Sequence, residues 1–311
     1  FSQGEKQDVT VLVATSGDTG GAVANGFLGV DGVKVVILYP SGKVSEIQEK
    51  QLTTLGQNIE AMEVDGVFDD CQRMVKTAFL DTEITDHKKL TSANSINVAR
   101  WLPQLFYFLF AYKQAKSKGK EIVFSVPSGN FGNICAGMVA QKLGMPVKHF
   151  VASTNVNDVV PKFMESGVYE PMPSVATISN AMDVGDPSNF VRIRHLYQDD
   201  LETLQKSLSS HSFTDENTKA IMKEVYSKTG YVMDPHGAVG YLGLKEYQKS
   251  NPNTFGIFLE TAHPVKFLDV VEDTLEISPQ IPPQIMKVMD KEKKSYKISS
   301  YDELKQFLLD D

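Results

Sequence analysis

The N-terminal part of the chain alternates between two hydrophobic periods. Apolar, β-branched runs of strand length are each followed by a segment with helical spacing. The strands are predicted at 9–15, 33–40 and 59–64, and the helices up to Gly29, at 46–55 and at 69–80. Strands that are apolar on both faces and separated by helices pair in parallel through right-handed crossovers. The alternation therefore predicts a parallel sheet covered by helices.

A second set of elements follows and predicts a second sheet. A long helix is expected from Ser95 to Lys116, with Trp101, Leu105, Phe108 and Leu109 at core spacing. Strands are predicted at 122–126, 147–152 and 255–259, with a helix at 132–143. We therefore expect an α/β fold of two three-layer α/β/α domains with mostly parallel sheets. The domains are predicted at 1–93 and 94–311, and the Lys-rich tail after Pro283 is expected to be peripheral.

Composition excludes several classes of partner. The chain has 311 residues and a net charge of −8, which argues against nucleic acid and anionic membranes as partners. No apolar run approaches the ~18 residues that span a bilayer. Cys71 and Cys135 form no CxxC pair, and the histidines lack metal-ligand spacing. We expect a cytoplasmic protein with reduced thiols, no nucleic-acid, membrane or metal partner, and a monomeric or homodimeric state.

A glycine-rich loop lies between a predicted strand and a predicted helix. Its sequence is Pro-Ser-Gly-Asn-Phe-Gly-Asn, at 127–133. Gly129 and Gly132 allow a tight turn, and exposed N–H groups at the helix start can bind a phosphate. The alternative is a plain turn with an asparagine cap. The loop matches neither the dinucleotide fingerprint nor the Walker motif.

Two further segments repeat the pattern of a polar loop before a helix. In the first, Thr15, Ser16 and Thr19 supply hydroxyls, while Asp18 would repel an anion unless it faces another group. Asp18 stabilising the helix dipole is the alternative. In the second, Asn94 and Ser95 are predicted caps of the long helix, and Arg100 lies further along it. Arg100 could reach back toward that helix start or be a solvated surface cation.

Histidines near the C-terminal part have competing interpretations. His263 follows the late strand, at the sheet edge where open α/β sheets bind ligands, and could act as a base. A histidine before proline in a turn is more often structural. Asp234, in Asp-Pro-His-Gly, is read first as a capping residue.

Together these motifs resemble the threonine synthase family, pyridoxal-phosphate enzymes built like the tryptophan synthase β chain. The matching segments keep the family's order along nearly the whole chain. They are ATSGDTGGAVA (14–24), SANSINVARWLPQ (92–104), PSGNFGNICAG (127–137), TISNAMDVGDPSNFVR (177–192) and TAHPVKF (261–267). The resemblance implies pyridoxal 5'-phosphate as cofactor and O-phospho-L-homoserine as substrate, which would lose phosphate and gain water to give L-threonine.

The resemblance also implies roles for individual residues. The cofactor site would comprise Asp18, Gly129, Asn130, Phe131, Gly132, Asn133 and Thr261, the last near the pyridine nitrogen. The substrate site would comprise Thr15, Ser16, Thr19, Asn94, Ser95 and Arg100, with Asn130 reaching both molecules.

One feature departs from the family pattern. The family's Schiff-base lysine lies in a Phe-Lys-Asp motif well upstream of the first strand, and here that strand begins at Val9. Lys6 lies in a polar context that does not match. We therefore expect a fold that is incomplete at the N-terminus, no catalytic residue of that kind in this chain, and no activity of the chain by itself.

Two alternatives to this function remain open. A related serine or threonine dehydratase or a cysteine synthase would share the fold, but would not need the second phosphate site of Asn94, Ser95 and Arg100. A non-catalytic ligand-binding module would keep the phosphate loops without the lysine.

Overall fold

The computed structural model describes residues 8–15, 17–95 and 97–310, apart from the side chain of Asp18. The chain forms two compact units. The first unit comprises the described residues up to Asn94 together with those from Gln280 onward, and the second unit comprises residues 95–279. The segment from Gln280, which we had assigned to the larger domain, therefore belongs to the smaller one.

The described parts of the chain contain the following regular elements. The strands are β1 (Val9–Ala14), β2 (Val33–Pro40), β3 (Ile59–Val64), β4 (Lys89–Ser92), β5 (Ile122–Pro127), β6 (His149–Thr154), β7 (Leu208–Ser212), β8 (Phe255–Phe258) and β9 (Tyr296–Ile298). The helices are α1 (Asp18–Phe27), α2 (Glu46–Thr53), α3 (Phe68–Leu80), α4 (Thr82–Thr85), α5 (Val98–Trp101), α6 (Leu105–Ala115), α7 (Gly132–Lys142), α8 (Val159–Ser166), α9 (Phe190–Leu196), α10 (Leu201–Gln205), α11 (Asp215–Thr229), α12 (Pro235–Ser250), α13 (Leu268–Leu275), α14 (Pro283–Met289) and α15 (Tyr301–Asp310).

The sheet of the first unit is parallel, in the order β4-β1-β2-β3-β9. Alternate residues of its central strands enter two separate cores. Leu12 and Val36 pack with α3 and α15 on one face, whereas Val11 and Val35 pack with residues of α1 and α2 on the other. Because both faces are buried, these strands are apolar throughout. This confirms the α/β fold predicted from the alternating periods.

The C-terminal segment is not peripheral, so that expectation was wrong. β9 pairs in parallel with β3, and α15 buries Leu304 and Leu308 in the core beneath the sheet. The segment looks peripheral in sequence because most of its lysines are exposed, at 291, 293 and 294 in the connection before β9 and at 297 within it.

The second unit has a parallel sheet in the order β7-β6-β5-β8. Phe124 of β5 and Phe150 of β6 pack edge-on against Phe108 of α6, with ring centroids 5.1 and 5.8 Å away. On the opposite face, Val123 and Val151 contact Leu244 of α12. No helix in the described part of the chain is both long and apolar enough to cross a membrane.

The predicted long helix from Ser95 to Lys116 is broken. A 3₁₀ turn at Leu102–Gln104 separates α5 from α6, because Pro103 lacks an N–H group and its ring clashes with the carbonyl of a preceding α-helical turn. The cap of α5 is Asn97, whose side chain accepts from the Ala99 N–H, rather than Asn94 or Ser95. Leu109 is 38% exposed, so its placement in the core was also wrong.

The N-terminus of α11 is held by a capping box. The Thr214 hydroxyl accepts from the Asn217 N–H at 3.3 Å, and the Asn217 side chain accepts from the Thr214 N–H at 3.2 Å. We expect Thr214→Ala to lower the free energy of unfolding by about 1 kcal/mol, because it leaves helix-start N–H groups unsatisfied. Lys223→Ala, at an exposed position of the same helix, should change it by less than about 0.5 kcal/mol. Urea unfolding of both variants measures the difference, and equal effects would contradict the capping role.

Candidate functional site

The loop between β5 and α7 is held in a strained turn. Phe131 precedes α7 with φ of 61° and ψ of 10°, a left-handed conformation that few non-glycine residues adopt. Its ring is buried and packs edge-on against Phe190, with centroids 5.5 Å apart. The Phe131 ring therefore anchors the loop in the core, and the assignment of Phe131 to the cofactor site stays a prediction.

In this loop a side chain at Gly129 would collide with backbone atoms, and one at Gly132 would fit only tightly. A Cβ atom on Gly129 would lie 2.7 Å from the Met182 Cα and 2.9 Å from the Ala181 carbonyl oxygen. A Cβ atom on Gly132 would lie 3.2 Å from the Ser95 Cβ. The loop thus packs directly on the 3₁₀ turn at Asn180–Met182 and on Ser95, and glycine is required for that approach.

Asn130 joins the loop to two other segments. Its Nδ2 donates to the Ser95 hydroxyl at 3.2 Å, and its Oδ1 accepts from the Ser188 N–H at 2.7 Å and the Ser188 hydroxyl at 2.9 Å. Ser95 and Asn130, which the sequence placed in separate motifs, are therefore neighbours in the second unit.

Ser188, Asn189 and Arg192 belong to the same cluster and were not among our predicted site residues. The buried Asn189 donates to the Ser95 hydroxyl at 2.8 Å and to the Asn130 carbonyl at 2.9 Å. Arg192 donates to the Ser95 carbonyl at 2.9 Å and to the Asn189 Oδ1. The sequence motif at 177–192 contains all three residues and ends at Arg192, so it could have identified them.

The start of α7 can accept an anion. Gly132, Asn133 and Ile134 have backbone N–H groups with no partner inside the helix, and no side chain caps them in the described part of the chain. The helix dipole adds partial positive charge there. The Asn133 Oδ1 is buried without a hydrogen-bond partner among the described residues, and as an acceptor it needs a donor such as a water, so the N–H groups and the dipole are what favour an anion. These features fit a phosphate group.

The segment that covers the loop is itself fixed by a buried carboxylate. Asp183 accepts from the Thr177 hydroxyl at 2.7 Å, the Thr177 N–H at 3.0 Å and the Asn155 Nδ2 at 2.8 Å. Burial raises the pKa of Asp183 to about 6, and these hydrogen bonds oppose that rise. The turn against Gly129 is therefore held by a polar network rather than by apolar packing alone.

In the first unit, the loop after β1 is organised by its own threonine. The Thr15 hydroxyl accepts from the Gly17 N–H at 3.0 Å and the Gly20 N–H at 2.8 Å, and Thr15 is 1% exposed. Gly17 has φ of 137°, and a Cβ on Gly20 would lie 2.5 Å from the Thr15 methyl. Thr15 shapes the loop, whereas Thr19 lies exposed in the first turn of α1.

The other predicted residues differ in how they are placed. Asn94 clamps the end of β1, because its side chain accepts from the Ala14 N–H at 2.8 Å and donates to the Ala14 carbonyl. Arg100 in α5 and Thr261 after β8 are exposed. Ser16 lies outside the described residues, and so does the side chain of Asp18, whose backbone begins α1.

Histidines take structural roles in the second unit. His263 caps a 3₁₀ turn, with its Nδ1 accepting from the Val265 N–H at 3.1 Å. Asp234 caps α12, as predicted, and contacts the His236 Nδ1 at 2.9 Å. Among the described residues, no group of three or more His, Cys, Asp or Glu side chains could hold a metal ion.

Two family models match the chain. One, described as a pyridoxal-phosphate dependent enzyme, matches residues 2–254, and the other, described as the C-terminal part of threonine synthase, matches residues 237–308. The threonine synthase of Buchnera aphidicola from Acyrthosiphon pisum is 44% identical over 308 residues, which cover 98% of this chain and 71% of that protein.

Solved structures give the same result. The crystal structure of threonine synthase from Escherichia coli matches with a TM-score of 0.93 at 44% identity, covering 98% of this chain and 71% of that one. The pyridoxal-phosphate-bound threonine synthase from Brucella melitensis matches with a TM-score of 0.84 at 33% identity, covering 97% and 70%.

Proposed function

Since this chain belongs to the threonine synthase family of pyridoxal-phosphate-dependent lyases, we propose that its substrate is O-phospho-L-homoserine. The products would be L-threonine and inorganic phosphate. Membership of this family argues against a dehydratase, a cysteine synthase and a non-catalytic module. The substrate differs from homoserine by one phosphate group, so recognition must include an anion site separate from that of the cofactor.

The start of α7 is the proposed site of the cofactor phosphate. Gly129 to Asn133 supply close backbone approach and helix-start N–H groups. Thr261 would place its hydroxyl beside the pyridine nitrogen. When bound, the cofactor would serve as the electron sink for the carbon chemistry. Asp18 remains a prediction from the family motif.

Ser95, Asn130 and Arg100 are the proposed contacts of the substrate phosphate within the second unit. Support comes from the hydrogen bond between Ser95 and Asn130 and from the exposure of the Arg100 guanidinium near the start of α5. A planar, permanently charged fork suits a phosphate better than a point charge does. Thr15, Ser16, Thr19 and Asn94 of the first unit remain predicted substrate residues, with Thr15 and Asn94 acting through the loop they hold in shape.

Arg100→Ala in the holoenzyme tests this assignment. A charged hydrogen bond typically contributes about 1.5–3 kcal/mol, so kcat/KM for O-phospho-L-homoserine should fall roughly ten- to a hundredfold. Arg100→Lys should recover part of the loss. The cofactor's absorbance spectrum should be unchanged, because its phosphate uses the start of α7.

The matched control is Arg73→Ala, which removes an exposed arginine from α3. Its kcat/KM should equal that of the unsubstituted enzyme. If Arg100→Ala leaves kcat/KM unchanged, the substrate phosphate binds elsewhere. If it instead bleaches the cofactor or lowers stability, Arg100 is a structural residue.

A cytoplasmic location and a monomeric or homodimeric state complete the proposal. Cys71 and Cys135 are free and buried, which suits a reducing compartment. Burial raises the pKa of the Cys135 thiol to about 12, so it is chemically inert. Light scattering of the purified enzyme measures the oligomeric state.

A further inference from the structure

A buried carboxylate, that of Asp234, lies at the start of α12. Residues of its own helix contact only one of its two oxygens. The Asp234 Oδ1 accepts from the His236 N–H at 2.8 Å and contacts the His236 Nδ1 at 2.9 Å. The Asp234 side chain is fully buried, and no N–H or hydroxyl group of the described residues donates to its Oδ2. A buried acceptor of this kind needs a donor.

Glu260 is the group that faces this oxygen. It follows β8 and directly precedes Thr261. Its carboxyl lies on the first turn of α12, because a Cβ atom on Gly237 would lie 2.1 Å from the Glu260 Oε2. The residue as a whole is exposed, but its carboxyl lies against the buried Gly237 and is close enough to Asp234 for each to affect the pKa of the other. Gly237 is the residue that makes room for this approach.

Two carboxyl groups in contact cannot both be ionised at neutral pH. Burial and the neighbouring Asp234 raise the pKa of Glu260 to about 9, although a hydrogen bond with Tyr231 opposes the rise. Burial also acts to raise the pKa of Asp234, but the hydrogen bond and charge of His236 outweigh it and lower that pKa. Asp183 also lies near His236, and Tyr231 lies near both carboxyl groups. The proton of the pair therefore stays on Glu260.

We propose that Glu260 is a positioning residue that remains protonated at neutral pH and donates to the Asp234 Oδ2, fixing the end of β8 and thereby Thr261. The proposal rests on the proposed function only in assigning Thr261 to the cofactor ring. A neutral acid at this position ties β8 to α12 without placing a second negative charge beside Asp234. Ionisation of Glu260 would break the tie and force the two carboxylates apart.

The first test measures stability and needs neither cofactor nor substrate. The native state keeps a proton that the unfolded chain releases above its ordinary pKa of 4.5, so stability should fall as pH rises toward about 9. Glu260→Gln keeps a donor and cannot ionise. Its melting temperature should therefore fall less than that of the unsubstituted enzyme between pH 5.5 and 8.5 (roughly the window between those two pKa values). Glu272→Gln, an exposed control on α13, should behave like the unsubstituted enzyme. Parallel curves for Glu260→Gln and the unsubstituted enzyme would overturn the proposal.

The second test measures the apparent Kd for pyridoxal phosphate as a function of pH. The unsubstituted enzyme and Glu260→Ala are each compared with Glu260→Gln. Relative to that variant, the unsubstituted enzyme should bind about tenfold more weakly per pH unit above the pKa of Glu260. Glu260→Ala, which has no donor, should bind more weakly at every pH. Equal affinities for Gln and Ala, or an unsubstituted enzyme that follows Glu260→Gln at all pH values, would overturn the positioning role. Failure to turn over O-phospho-L-homoserine, with the stability difference intact, would contradict only the proposed substrate.

Discussion

Gly129→Val should weaken cofactor binding by more than about a hundredfold. The first added carbon would lie 2.7 Å from the Met182 Cα and 2.9 Å from the Ala181 carbonyl oxygen, and both are backbone atoms that no rotamer change can move. Forcing extra carbons into a packed site typically costs about 1–3 kcal/mol, and valine adds three of them. We therefore expect a loss of about 3 kcal/mol, most of it through displacement of the loop before α7.

Titration of the apoenzyme with pyridoxal phosphate measures this change. Gly129→Ala should show a smaller loss in the same direction. Gly26→Ala in α1 is the matched control, because a Cβ atom there meets nothing within 4 Å and alanine favours a helix. A Gly129→Val enzyme with unchanged cofactor affinity would show that the loop before α7 does not bind the cofactor.

The parallel strands could be predicted because their signal is local. β1 and β2 are buried on both faces and therefore contain long apolar runs, and in β3 the two glutamates lie at half-buried positions between buried residues. β4, β7 and β9 were not predicted. Their sequences, Lys-Leu-Thr-Ser, Leu-Ser-Ser-His-Ser and Tyr-Lys-Ile, are short and polar, as suits strands at sheet edges, and only pairing with a neighbour makes them strands.

The same distinction applies to the candidate site. The glycines of the loop at 127–133 predict that its backbone approaches a neighbouring group closely, so the loop could be identified from the sequence. Ser95, which contacts this loop, hydrogen-bonds Asn189 and Arg192, and these lie 94 and 97 positions further along the chain. No local pattern carries that information, although the motif at 177–192 contains both residues.

Thr15 shows a different limit. A threonine after a buried strand has a hydroxyl that can bind an anion or organise its own loop, and the two uses require the same residue type. In the structure the Thr15 hydroxyl accepts two backbone N–H groups and is buried. Only the direction of the side chain distinguishes the two roles, and that direction depends on the backbone of the turn at Gly17.

Asn189→Ala should destabilise the second unit and lower kcat/KM by more than about a hundredfold. Its side chain donates to the Ser95 hydroxyl and the Asn130 carbonyl, and it accepts from Arg192. Each buried group left without a partner costs about 1–3 kcal/mol, and the three losses are not additive because the groups are in one network. We expect a net cost of about 3 kcal/mol in the free energy of unfolding. Because Ser95 and Asn130 are the proposed substrate contacts, the catalytic loss should accompany it.

Asn189→Asp separates the hydrogen bonds from the shape of the side chain. Aspartate has nearly the same volume and still pairs with Arg192, but it presents lone pairs to the Ser95 hydroxyl and the Asn130 carbonyl, where asparagine presents N–H donors. The Ser95 hydroxyl can rotate to donate, whereas the carbonyl cannot, so the Asn130 backbone should be displaced. Asn253→Ala, on an exposed loop, is the control and should stay within about 0.5 kcal/mol of the unsubstituted enzyme. If Asn189→Asp keeps full activity, the two donated hydrogen bonds do not hold the site together, and packing of the 177–192 segment alone must do so.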